Sequence, residues 1–61
     1  MATNGYRVIR LDHRARYGGV PMTRWLSHGE AMTYARYANR SRVGEYALQS
    51  KRMVIHKVVG A

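Results

Sequence analysis

An α+β fold, with one helix laid on one face of a small antiparallel sheet of three or four strands in the order β-β-α-β-(β), is what this 61-residue sequence predicts. Three observations carry it. β-branched and aromatic residues gather toward both ends of the chain, a Ser-x-x-Glu box opens a helical periodicity in the middle, and glycine and proline punctuate the joins. A chain of this length makes one small domain, because it buries only roughly 60% of the surface that its unfolded form exposes. One basic domain over residues 1–61 is therefore expected.

The first strand is "YRVIRLD", residues 6–12, entered from the turn-prone pair Asn4-Gly5. Ile9 and Leu11 share one face with Arg7, while Tyr6 and Val8 share the other with Arg10. Both faces of the sheet should then be partly covered. "HRARYGGVP", residues 13–21, contains the only Gly-Gly pair and the only proline and is a connection. The second strand is expected in "VPMTRWLS", residues 20–27, with Val20, Met22 and Leu26 on one side, Arg24 interrupting them, and Trp25 on the other. Pro21 has no ladder donor, so this strand begins there or lies at an edge. Trp25 is expected in the core, since aromatic side chains supply the most burial per residue in so small a domain.

Ser27-His28-Gly29-Glu30 fits the capping box that opens a helix. At 100° per residue, Ala31, Tyr34, Ala35 and Ala38 fall on one stripe, and Thr33, Arg36, Tyr37 and Arg40 fall opposite. The alanines should let the helix axis approach the sheet closely, with Met32 filling space at the border. Arg40 and Arg42 complement the dipole at the helix end, and Gly44 is placed to stop it. Beyond Gly44, "EYALQ" (45–49) and "RMVIHKVV" (52–59) are strands separated by "SK". A hairpin at Ser50-Lys51 and one bent strand through 45–59 are the two alternatives.

Chemistry-bearing patterns are sparse. There is no cysteine, so neither a disulfide nor a thiolate zinc site is available. His13, His28 and His56 lack i, i+4 or zinc-motif spacing, and no metal or other cofactor is expected. Asp12 and His13, read as adjacent strand residues, point to opposite faces, Ser27-His28 is explained as cap and first turn of the helix, and Gly18-Gly19 lacks a phosphate-loop context. The expectation is a protein without enzymatic activity. No apolar run approaches the roughly 20 residues required to cross a bilayer, and "MATNGY" does not open a secretory signal. With no cysteine either, a cytoplasmic location is expected.

The charge is the informative feature. Eleven Lys and Arg, nine of them arginine, face three acids, Asp12, Glu30 and Glu45, for a net +8. It divides as +4 over residues 1–27, +2 over 28–44 and +2 over 45–61, so the whole domain carries it. Such a field attracts polyanions, and guanidinium groups pair bidentately with phosphate or carboxylate. "TYARYANRSR", residues 33–42, concentrates two tyrosines and three arginines on the helix. Arg36, Tyr37 and Arg40 lie side by side there, suited to phosphate pairing and to stacking. Arg14 and Arg16 on the first connection, and Lys51 and Arg52 on the second, extend the candidate set. No RNP, GXXG or helix-turn-helix signature is present.

The expectation is a small basic binding module for nucleic acid. The alternative is an accessory or effector protein that binds an acidic protein surface. In composition alone the chain resembles the short accessory proteins of bacterial viruses, which transfers no residue role. A homodimer would suit its small core.

Overall fold

A computed structural model describes residues 4–58. Strand β1 (Tyr6–Leu11) leads through a 3₁₀ turn (Arg16–Gly18) into β2 (Gly19–Pro21), followed by helix α1 (His28–Ser41), β3 (Tyr46–Ser50) and β4 (Ile55–Lys57). All pairings are antiparallel, in the spatial order β2-β1-β3-β4. The expected α+β fold is what forms, and the hairpin replaces the bent strand. Val59, assigned above to the last strand, lies outside the described residues.

Registers assign the two faces. Tyr6 opposes Ser50, Val8 opposes Leu48 and Arg10 opposes Tyr46 on the side that α1 covers. Ala31, Ala35 and Ala38 are fully buried against Val8, Tyr46 and Leu48, with Tyr6, Met22, Leu26, Met32, Tyr34 and Val58 closing the margins. The alanine stripe thus performs as its spacing implies: its short side chains leave the volume for the strands' larger ones.

Asn39 fixes the end of the helix. Its carboxamide oxygen accepts the Tyr46 N–H at 2.8 Å, and its Nδ2 donates to the Tyr46 carbonyl at 3.1 Å. Because the Glu45 carbonyl accepts from Leu11 on the β1 side, the Tyr46 groups point the other way, beyond the end of β4. Asn39 therefore supplies the hydrogen bonds that an adjacent strand would make. The helix ends at Ser41, and Gly44, at φ +120°, turns the chain back into β3.

The second face has its own core, with Ile9, Ala47 and Gln49 buried although no helix covers them. Gly18 and Gly19 make this closure feasible. A Cβ on Gly19 would stand 2.7 Å from Ile9 Cδ1 and 3.0 Å from the Arg10 carbonyl, and one on Gly18 would stand 2.8 Å from Ile55 Cδ1. The loop and Ile55 together seal Ile9.

Three expectations require correction. The second strand is only Gly19–Pro21; Met22 still donates its N–H to the Val8 carbonyl at 2.8 Å, and residues 23–25 leave the pairing before Leu26 rejoins it as a single bridge to Tyr6. The cause is Thr23, whose Oγ1 accepts the Val8 N–H at 3.0 Å, where a backbone carbonyl would otherwise continue the pairing. The β3–β4 connection spans residues 51–54, so Arg52, Met53 and Val54 lie in a turn and not a strand. Ser50 organises it: its N–H donates to the Val54 carbonyl, its carbonyl accepts from Met53, and its hydroxyl oxygen accepts from the Val54 N–H. Met53 takes the left-handed conformation, φ +64°, that this turn requires. Trp25, finally, is half-buried and outside the core cluster.

Pro21 sits in edge strand β2 as anticipated. Opposite Ile9 its nitrogen faces outward, where no ladder bond is lost.

Two glycines give opposite expectations on substitution. Gly19→Ala should lower stability by about 1–3 kcal/mol, because backbone as well as Ile9 crowds the new methyl group. Gly29→Ala, in the first turn of α1 with nothing within 4 Å of a Cβ, should raise it by about 0.4–1 kcal/mol. Asn39→Ala should cost about 1–3 kcal/mol by stranding both Tyr46 backbone groups. Urea unfolding midpoints of the three variants check all three signs.

Candidate nucleic-acid interface

All seven residues singled out by charge and spacing are exposed: Arg14, Arg16, Arg36, Tyr37, Arg40, Lys51 and Arg52. They form three groups. Arg36, Tyr37 and Arg40 share the outer face of α1, and Tyr37 and Arg40 line a shallow groove with Leu26, Gly29, Glu30, Thr33 and Tyr34. Arg14 and Arg16 ride the loop at the Leu11 end of β1, whereas Lys51 and Arg52 ride the turn at its Tyr6 end. A six-residue strand separates those ends by roughly 17–20 Å. The loop and turn residues therefore cannot contact one phosphate together.

Each group is held locally. Asp12 organises the first loop: its carboxylate accepts the Arg14 N–H at 3.0 Å, and its carbonyl accepts that of Ala15. The Arg14 guanidinium lies 3.8 Å from the same carboxylate, and this is the only ion pair among the described residues. Lys51 is tied to the start of β1 through its N–H on the Gly5 carbonyl, at 3.1 Å. α1 begins beside Tyr6, where the His28 ring meets the tyrosine edge-on at 5.0 Å, and ends beside Tyr46.

A fourth cluster was not anticipated. Arg7 lies 4.6 Å above the Trp25 ring centroid, and the Lys51 ammonium lies 5.5 Å from it. Arg7 also donates through Nε to Gln49 Oε1 at 2.8 Å, while Gln49 Nε2 is buried without a partner. On the opposite face of the same strand, His56 packs against Tyr6 at 6.0 Å. Gly5, Tyr6, Ser50, Lys51, Arg52, Val54 and His56 line a depression there. The available signal was Arg7 itself, an arginine on the stripe of Ile9 and Leu11: a cation on a buried stripe needs a hydrogen-bond partner and a surface to lie on.

Metal ligation finds no support in the geometry, since no three His, Asp or Glu converge among the described residues. No helix there is long and apolar enough to cross a membrane. No protein-family model matches the chain, and no curated protein or solved structure is significantly similar to it.

Glu30 is occupied with the helix start. The Ser27 hydroxyl donates to its carboxylate at 2.9 Å, the Ser27 N–H donates at 3.2 Å, and the Glu30 N–H returns to Ser27 Oγ. These bonds, the hydroxyl first, hold the Glu30 carboxyl below the usual carboxylate range. A depressed acid contributes stability that is present above its unfolded pKa and disappears as pH falls through the folded value. Ser27→Ala should therefore destabilise the protein at neutral pH, and the gap to the parent should narrow in acid. Thermal melts of both proteins between neutral pH and about pH 3 test this.

Proposed function

We propose that this protein is a non-enzymatic binding module that engages nucleic acid through its displayed cations, with Arg36, Tyr37 and Arg40 on α1 as one contact face. One observation carries the reading. Eleven cationic side chains are present in the chain, and a single ion pair neutralises any of them among the described residues. The positive field is thus turned outward, available to a polyanion that releases its counterions on binding. Arginine and tyrosine on one helical face supply phosphate pairing and an aromatic surface together.

A second reading, a contact with an acidic protein, draws support from the groove along α1, where Leu26, Tyr34 and Tyr37 offer apolar surface beside Arg40, the Glu30 carboxylate in the same groove being engaged by Ser27. Pro21 leaves the β2 edge short of a donor, which favours the helix over strand addition for such a contact. Pull-down from nuclease-treated extract separates the two: a partner retained after nuclease treatment favours the protein.

Affinity for DNA or RNA should fall steeply with salt. Arg36→Ala/Arg40→Ala should weaken binding similarly for all sequences and lower the slope of log K against log salt by about 1–2. Fluorescence anisotropy of labelled oligonucleotides across a salt series measures both. Absent or salt-insensitive binding rejects the proposal.

A further inference from the structure

We infer that the end of the molecule formed by Trp25, Arg7, Tyr6 and the Lys51–Arg52 turn is a site for single-stranded nucleic acid, where a base stacks and the adjoining phosphates bind the turn. This rests on the nucleic-acid reading and deepens it by naming the strandedness and the residues.

The argument begins with what the fold brings together. β1 presents Arg7 and Tyr6 on opposite faces, the segment before α1 delivers Trp25, and the β3–β4 turn delivers Lys51 and Arg52. Two links hold them in register: the Lys51 N–H on the Gly5 carbonyl and the Leu26–Tyr6 bridge next to Trp25. Tyr6 is therefore carried on the central strand, and Trp25 on a connecting segment pinned to that strand at the adjacent Leu26.

The cations are placed for a ligand that is both aromatic and anionic. Arg7 is anchored by Gln49, and its guanidinium carbon lies 4.6 Å from the Trp25 ring centroid, within cation–π range. Lys51 stands farther off, at 5.5 Å, on a flexible stem. It can leave the ring for a phosphate, which uncovers indole surface as it supplies charge. The depression lined by Tyr6, Ser50, Arg52 and His56 also includes Gly5, where an added Cβ would meet nothing within 4 Å. That depression offers a hydroxyl, an imidazole and a guanidinium to the next nucleotide. No carboxylate lines it.

This constellation discriminates between nucleic-acid forms. A base stacked inside a duplex shows no face to an indole, whereas an unpaired base does. Duplex binding by charge alone would leave Trp25 untouched.

Trp25 is the only tryptophan, so its emission reports on this end alone. The full chain is titrated with oligothymidylate of about 12 nucleotides, within the usual range of single-strand site sizes, with a duplex of equal length, and with inorganic polyphosphate. The expected result is quenching by the single strand at saturation, little change with duplex or polyphosphate, and an affinity loss of about tenfold or more in Lys51→Ala/Arg52→Ala. Both substituted residues are exposed and outside the strands, and an unchanged circular dichroism spectrum verifies the fold. Salt-dependent binding that leaves Trp25 emission unchanged, or that is indifferent to the turn variant, overturns this inference while the broader reading survives. Absence of binding to any of the three polyanions removes both.

Discussion

Close seating of an alanine stripe on two central strands is the contact on which the rest of the molecule depends. Ala31, Ala35 and Ala38 bring α1 down onto Val8, Tyr46 and Leu48, and no disulfide supplements that contact. A helix seated this closely must turn its long side chains away. Arginine and tyrosine therefore occupy the outer arc because the inner one has no room for them. The same packing orients the helix so that its start meets Tyr6 and its end meets Tyr46, which fixes where each cation stands relative to the sheet.

Local, periodic signals were legible. The capping box, the alanine stripe, the order of elements and the edge position of Pro21 follow from residue type and spacing within short windows, and the structure has all of them. What escaped was decided by contacts distant in sequence or by one side chain replacing backbone. Thr23 ends β2 early through a hydroxyl that does the work of a carbonyl, which periodicity does not register. Met53 and Val54 look like strand by β-branching and apolarity, yet the hydrogen bonds around Ser50 close a turn that includes them. Trp25 was assigned to the core on size, but its neighbours Arg7 and Lys51 come from β1 and the β3–β4 turn, and neither proximity is visible in a linear window. Within the candidate site, exposure of the seven residues followed from the sequence. Their division among separate surfaces did not, because it depends on strand register.

Arg7 links stability to surface chemistry. Its strand position is one that an apolar residue would ordinarily fill, and Gln49 and Trp25 share the accommodation of its charged head. An arginine held in this way loses little further freedom when it meets a ligand, in contrast to Arg14 or Arg52 at the surface. Gln49 is oriented by the same bond, since its oxygen must face Arg7 and its amide nitrogen is thereby left unpartnered in the interior. The lower core is consequently the more polar of the two, and it lies beneath the cluster that carries Trp25.

The pairing of β1 with β3 also bears on how the protein is made. β1 leaves the ribosome ahead of its principal partner, which closes the central ladder only with Tyr46–Ser50, after the helix has been synthesised. Until then β1 has only the short β2 as a ladder partner, and α1 alone to cover one of its faces. Folding of the sheet must wait until β3 has been synthesised, because a nascent chain truncated before Tyr46 lacks the strand that pairs with β1 along its length.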